Sequence, residues 1–262
     1  MVGIVATIAE AGPATAIRLA LAMTLLQASI GSLNDLVDAP RDADRTPPKP
    51  IPGGVVSRPA AWLVVLATAA VGIALSVPSG RMTIALAVIV LGIGYAYDVW
   101  FKGTAWSWIP FAVGIPLLPA YGWLGTAGDM PPAFAILLPA AVVAGTALAI
   151  SNALADIERD STAGTESVAT RLGARRAWAV QAVLLMGILA VAWISLAVAA
   201  DGRGAITRSA PVLGAVGATL LIGAGIGLAR DGGPARRERA WELEAIGIGV
   251  LAAAWLTAVA LG

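Results

Sequence analysis

Asn34, Asp38 and Asp42 lie in GSLNDLVDAPRDADR, and Asn152, Asp156 and Asp160 lie in ISNALADIERDSTAG; both triplets read N-x-x-x-D-x-x-x-D. Residues four apart share a helix face, so each triplet aims an amide and carboxylates in one direction. Both triplets close long apolar stretches, where a carboxylate is costly unless it is paired or bound to a cation. Two facing carboxylate clusters point to a divalent metal and a phosphorylated ligand. The plainer reading of the first cluster is a solvated helix end, with Asp35, Asp38, Asp42 and Asp44 mixed among Arg41 and Arg45. Two features weigh against it. Asn34 stands where the helix is still apolar (LLQASIGSLN), and the spacing recurs.

Other groups could serve the same chemistry. Lys102, in YAYDVWFKGTAWSW, is either a diphosphate contact or a positive anchor, since lysine meets phosphate as a compact point charge. Lys49, in RTPPKPIPGG, could reach a phosphate from a proline-stiffened loop or serve as an anchor. Arg171 has the same two readings, with the anchor slightly favoured; Tyr97 and Asp98 are weaker candidates. Glu158 and Arg159 should point away from the Asp156–Asp160 face if the helix persists, leaving Glu158 solvated. Pro40 should end or kink the first helix near Leu36 to Ala39, placing Asp42 on a loop. Trp100, Trp106 and Trp108 read first as an interfacial belt and second as a shield for a carbocation. The chain has no cysteine and no histidine, which excludes disulfides, thiolate nucleophiles, Cys/His zinc sites and imidazole acid–base chemistry. No basic stripe for nucleic acid is present.

These residues must be positioned by membrane helices. The 262 residues are 58% hydrophobic and 13% charged, with mean hydropathy +0.84, against about 25% charged in soluble domains. The expected fold is an all-α polytopic membrane protein forming a single domain over 1–262. Eight apolar stretches, roughly 13–35, 59–77, 82–100, 105–126, 131–155, 176–200, 208–229 and 242–261, approach the roughly 20 residues a crossing needs. Residues 1–12 are apolar but too short to cross alone, and no cleaved signal peptide is expected. Strict alternation puts loops 36–58, 101–104, 156–175 and 230–241 on one side with most of the Lys and Arg, while the opposite loops carry Arg81, Arg203 and Arg208. The positive-inside rule makes the motif side cytoplasmic. The shared triplet hints at an internal duplication, with halves 13–151 and 152–262.

At these residues the chain resembles the UbiA superfamily of intramembrane prenyltransferases. The family pattern N-D-x-x-D-x-x-x-D, then a basic-Pro-x-Pro-x-Gly loop, is matched by Asn34, Asp35, Asp38 and Asp42, then Lys49-Pro50-Ile51-Pro52-Gly53-Gly54. Its second pattern, D-x-x-x-D-x-x-x-G-x-x-S/T with a later Gly, is matched by Asp156, Asp160, Gly164, Ser167 and Gly173, and the intervening Tyr and Lys by Tyr97 and Lys102. The family usually has one more transmembrane helix at its N-terminus, and residues 1–12 look like the tail of that helix. Lys49 stands where the family commonly has Arg, keeping the charge and losing the bidentate fork.

The resemblance implies Mg2+ held by Asp38, Asp42, Asp156 and Asp160 and bridging an allylic isoprenyl diphosphate. Lys102 would stabilise the leaving diphosphate, with Lys49, Tyr97 and Arg171 near the ligand and Asn34 and Asn152 orienting carboxylates or touching metal through water. The allyl cation would then be captured by an acceptor, commonly an aromatic ring in this family, in a bundle that keeps water out. A UbiA-type terpene cyclase or a transferase to a non-aromatic acceptor would use the same motifs. A cation-dependent transporter is the rival from another class, although transporter sites favour the bilayer midplane over helix ends.

Overall fold

The computed structural model describes residues 1–43, 47–200 and 205–260, and its regular elements are all helices. Asp44, Arg45 and Arg203 fall outside the described residues. Among the described residues, eight helices are long and apolar enough to cross a membrane. They are α2 (Pro13–Asp38), α3 (Arg58–Ser76), α4 (Arg81–Ala96), α5 (Trp108–Ala127), α6 (Phe134–Ala155), α9 (Ala174–Ala200), α10 (Ala205–Arg230) and α11 (Pro234–Ala260). Among the described residues three short α-helices accompany them, α1 (Val2–Ile8), α7 (Ile157–Thr162) and α8 (Val168–Leu172), with a 3-10 turn at Val77–Ser79.

The hydrophobic pattern is that of a membrane bundle rather than a soluble one. Leu63, Leu66, Val183, Leu213 and Leu220 are each at least 62% exposed on outer faces, where lipid is the natural solvent. One packed core gathers Leu137, Leu185, Ile222 and Trp255 of α6, α9, α10 and α11. A second gathers Leu19, Leu26, Val90 and Tyr121 of α2, α4 and α5, with Val2 and Ala6 of α1 seated against it. Residues 1–12 thus contribute a short helix docked on the bundle.

Polar side chains inside the spans find partners, as a low-dielectric interior demands. Ser29 donates to the Val65 carbonyl at 2.7 Å. Arg18 donates to the Leu75 carbonyl and to Ser79 Oγ at the end away from the motifs. Glu244 of α11 is fully buried and accepts from Ser151 of α6 and Gln181 of α9.

The structure departs from the expected boundaries in two instructive places. The last helix starts at Pro234, well before the expected 242. Proline presets the first helical φ, and the run RRERAWELE is rich in strong helix formers, so propensity carries the helix through a charged stretch that hydropathy reads as loop. The other departure is at the end of α4. Tyr97–Phe101 form a π-helical turn, closed by the Lys102 N–H bonding to the Tyr97 carbonyl at 2.8 Å.

Candidate active site at the motif end of the bundle

The first cluster begins on α2, which ends at Asp38 as Pro40 requires. The turn continues beyond it: the N–H groups of Arg41 and Asp42 both bond to the Asp38 carbonyl, at 2.8 and 3.0 Å. Asp42 therefore lies in a turn just after α2, one turn beyond Asp38. Lys49 folds back onto this cluster, with Nζ 3.2 Å from Asp35 Oδ1 and 2.7 Å from Asp42 Oδ2. Burial alone would lower the Lys49 pKa, but hydrogen bonds to Asp42 and Asp35 and the charges of both carboxylates outweigh it and hold the ammonium above its ordinary value.

The π-helical turn supplies the next layer. Lys102 pairs with Asp38. Asn34, one turn back on α2, donates its amide to Asp98 Oδ1 at 2.9 Å. The carboxylate that the Asn34 amide orients is thus that of Asp98. Asp98 is only 3% exposed, and its second oxygen, Oδ2, is buried without a hydrogen-bond partner among the described residues. Tyr97 packs edge-to-face on Phe111 with ring centroids 5.3 Å apart.

The second cluster is built where α6 breaks. Asp156 caps α6 with φ −97° and ψ 5°, and the Asp160 N–H bonds back to the Asp156 carbonyl at 2.9 Å. Because the helix is interrupted at Asp156, the assumption of a continuous face fails for its neighbours. Arg159 turns back to pair with Asp156, Nη1 to Oδ1 2.7 Å. Glu158, expected to be solvated, is exposed and also pairs with Arg237 of α11. Gly164, at φ +68°, takes the left-handed conformation that reverses the chain after α7. Ser167 then caps α8 and hydrogen-bonds Asp160. Burial raises the Asp160 pKa above its ordinary value against that hydrogen bond, and the Asp156 charge adds to the rise. Asn152 lies half-buried one turn before Asp156 on α6. Arg171 is exposed in the last turn of α8, beside a small cavity of about 280 Å³ that it lines with Trp106.

The two clusters meet around the end of α4. Gly103 turns at φ +74°. A Cβ there would lie 3.1 Å from Thr165 of the second motif loop and 3.8 Å from Arg41 Nη1 beside the first motif. Asp38 from one cluster and Asp156 and Asp160 from the other all act electrostatically on the Tyr97 hydroxyl. Arg41 in turn acts on Asp160. Asp38, Asp42, Asp156 and Asp160 offer the hard oxygen donors that Mg2+ prefers. Among the described residues no three such groups close a metal shell on their own.

A cavity of about 600 Å³ runs from this region between α2, α4 and α5. Asn34, Tyr97 and Asp98 form its polar head, and Ile30, Met23, Ile115 and Leu118 line its apolar length. A second cavity of about 680 Å³, lined almost wholly by apolar residues of α5, α6, α9, α10 and α11, shares Ile115 and Leu118 with the first.

The profile of the UbiA prenyltransferase family matches residues 1–256. The chain belongs to this family. Among curated relatives, the digeranylgeranylglyceryl phosphate synthase of Natronomonas pharaonis is 31% identical over 180 residues, covering 67% of this chain and 62% of the relative. The digeranylgeranylglyceryl phosphate synthase of Korarchaeum cryptofilum is 28% identical over 55% of this chain and 52% of its own length. The chloroplastic chlorophyll synthase of Arabidopsis thaliana is 28% identical over 56% of this chain and 41% of its own length. The matched stretches thus span less than two thirds of these relatives. Among solved structures, a UbiA homologue from Aeropyrum pernix superposes with a TM-score of 0.76 at 19% identity, covering 97% of this chain and 93% of the other. The Archaeoglobus fulgidus UbiA homologue bound to GPP and Mg2+ gives 0.69 at 19% identity, covering 97% and 94%. At such identities the superpositions establish a shared UbiA fold.

Of the residues singled out from sequence, the structure gathers Asn34, Asp38, Asp42, Lys49, Tyr97, Lys102, Asp156 and Asp160 at one end of the UbiA bundle. Asp98, rated weak from sequence, is drawn into the centre of this group. Its sequence signal was a carboxylate four residues before Lys102 at the end of an apolar run.

Proposed function

We propose that this chain is a Mg2+-dependent intramembrane prenyltransferase that takes an isoprenyl group from an allylic diphosphate and passes it to a small-molecule acceptor. The observation that carries the reading is the meeting of the two motifs around Gly103, where Thr165 of the second motif loop and Arg41 beside the first both come within 4 Å of one point. Carboxylates from two distant motifs gather there, beside an apolar cavity with a polar head. The GPP and Mg2+ bound by the Archaeoglobus homologue support the same ligand class here.

Asp38, Asp42, Asp156 and Asp160 are the residues that would hold Mg2+. When bound, the ion supplies positive charge against the diphosphate oxygens as the allylic C–O bond breaks. Lys102 pairs with Asp38, and Lys49 with Asp35 and Asp42. Both ammonium groups stand beside the carboxylates that would hold the ion, where Lys102 would stabilise the charge of the leaving diphosphate. The isoprenyl chain lies in the apolar cavity below Tyr97. Phe111 and Tyr97 present aromatic surface to the allyl cation, and the surrounding apolar side chains keep water from quenching it. Asn152 and Arg171 serve the periphery of the site. The acceptor expected from the family resemblance is aromatic.

The motif end faces the cytoplasm in this reading. Lys49, Arg58, Lys102, Arg159, Arg171, Arg175, Arg176, Arg236, Arg237 and Arg239 all belong to that end.

The test is incubation of membranes containing the protein with labelled prenyl diphosphates of several lengths, Mg2+ and an acceptor panel, with mass spectrometry of the lipid extract. Mg2+-dependent appearance of a prenylated acceptor is expected. Diphosphate left intact under all conditions defeats the reading.

A further inference from the structure

The second aspartate cluster sits on a broken helix, and both pieces of that helix are tied to α11. Before the break, Ser151 of α6 donates to Glu244 Oε2 at 2.6 Å, while Gln181 of α9 holds the other oxygen. After the break, Glu158 of α7 pairs with Arg237. Ser151 and Glu158 stand seven positions apart with Asp156 between them, and Arg237 and Glu244 are also seven apart. That spacing is two helical turns, so Arg237 and Glu244 leave α11 on one face, roughly 10 Å apart along its axis. Between the two ties, Ala240 of α11 shares an apolar cluster with Leu154 and Ile157, which lie on either side of Asp156.

α11 can act as a rigid reference because it runs unbroken from Pro234 to Ala260 and is backed by α10. A Cβ on Gly225 of α10 would lie 2.5 Å from Glu244 Cγ and 2.9 Å from the Ala240 carbonyl oxygen, so the α10 backbone lies directly against α11 at this level. The outer tie is more than a loose surface pair. The Arg237 side chain is 11% exposed, and its Nε is buried with no hydrogen-bond partner among the described residues. An arginine extended into water would avoid that cost. Asp156, at the break, has φ −97° and ψ 5° and is bonded locally to Arg159. Rotation about its backbone would swing α7 relative to α6 and break one of the two ties.

We propose that α11 is a splint for the second aspartate cluster, with Glu244 and Arg237 as positioning residues that hold Ser151 and Glu158 on either side of the helix break and so fix where Asp156 and Asp160 point. This rests on the prenyltransferase reading above and deepens it. Neither residue touches substrate or ion; each acts through the piece of helix it holds. Without the splint the carboxylates are still present, but binding must order them, and that ordering weakens affinity. The signature is therefore a higher metal requirement with the chemical step preserved.

The experiment uses the full chain in detergent as wild type, Arg237→Glu, Glu158→Arg, the doubly reversed protein and Ser151→Ala. Electron paramagnetic resonance reads Mn2+ binding in the presence of inorganic diphosphate. Mass spectrometry reads backbone hydrogen exchange over residues 157–164, and prenyl transfer is titrated with Mg2+. Each single reversal should weaken Mn2+ binding by about fivefold to tenfold, the size of a lost ion pair with added repulsion, and should speed exchange over 157–164. The Mg2+ needed for half-maximal transfer should rise by the same factor, while transfer at saturating Mg2+ stays within about threefold. The doubly reversed protein should return to within about twofold of wild type in every readout, which a general loss of stability would not allow. Ser151→Ala, in which Glu244 keeps Gln181, should move the same readouts in the same direction. Unchanged Mn2+ affinity in both single reversals overturns the splint. So does a doubly reversed protein no better than the single ones, or a loss of transfer that saturating Mg2+ does not recover. Ser151→Ala with every readout at the wild-type level overturns the role of Glu244. Wild type that binds no Mn2+ with diphosphate defeats the prenyltransferase reading itself; wild type that binds it no more tightly than the variants defeats the splint alone.

Discussion

Lys102 closes an ion pair with Asp38 across 64 positions of sequence. The contact joins the end of α4 to the end of α2, and Asn34 with Asp98 forms a parallel rung one turn deeper. The lysine thus occupies a carboxylate that the family pattern assigns to metal. In the proposed reading, Lys102 would compete with the cation for Asp38 and, when displaced, would be placed to pair with the diphosphate.

Lys102→Met tests this exchange in two directions at once. Loss of the charge should weaken binding of a prenyl diphosphate by about tenfold, or roughly 1.4 kcal/mol. Mn2+ alone, used as a spectroscopic stand-in for Mg2+, should bind the variant more tightly than wild type because Asp38 no longer carries a competing ammonium. Electron paramagnetic resonance of free Mn2+ and a radiolabel binding assay read the two effects. Unchanged values in both would return Lys102 to the role of a cytoplasmic anchor.

Asp38→Ala and Asp156→Ala remove one carboxylate from each cluster. Each should cut prenyl transfer by about 100-fold or more, since metal and diphosphate are held jointly. Both variants should insert and extract from membranes like wild type, because both carboxylates sit at helix ends outside the packed cores. Near-normal transfer by either protein would break the link between that cluster and the chemistry.

Much of this arrangement could be read from sequence because polar residues contrast sharply with apolar helices. Asn34 and Asp38 stand out at the end of a hydrophobic run, and Pro40 marks where α2 stops. The π-helical turn was not legible. One extra residue in a helical turn leaves the apolar pattern of YAYDVW unchanged, yet it rotates Asp98 inward and sends Lys102 to Asp38. Arg159 was misplaced because the break at Asp156 depends on tertiary packing that spacing does not encode. Glu244 had a signal, an acid inside ELEAIGIGVL, but its partners Ser151 and Gln181 come from two other helices. Pairing across space is invisible to a single chain read in order.

The Lys49 bridge gives a pH prediction with a definite sign. Its pKa is raised in the folded protein by Asp42 and Asp35 despite burial. A lysine raised in this way binds its proton more tightly folded than unfolded. The stabilisation is fully present below the ordinary lysine value of about 10.4 and is lost as pH rises through the elevated one. Thermal unfolding in detergent, followed from about pH 9 to pH 12, should show an alkaline decline in wild type that is shallower in Lys49→Met. Parallel profiles for the two proteins would remove Lys49 as a source of that stability.

Glu244 offers a test of how the second half of the bundle is held together. It is fully buried, with Ser151 Oγ 2.6 Å from Oε2 and the Gln181 amide on Oε1. Glu244→Ala strands both donors in an apolar interior at about 1–3 kcal/mol each and leaves a void as well. The midpoint of thermal unfolding should fall by at least about 4 °C, taking roughly 2–4 °C per kcal/mol for a chain of this size. Glu244→Gln keeps the shape. Its carbonyl still accepts one hydrogen bond, and its amide can donate to Ser151 Oγ or to the Gln181 carbonyl oxygen, which has no partner among the described residues. That variant should stay within about 1 kcal/mol of wild type. The pair separates hydrogen bonding from charge: if Glu244→Gln is as damaging as Glu244→Ala, a negative charge rather than a satisfied acceptor is what α6, α9 and α11 require at this point.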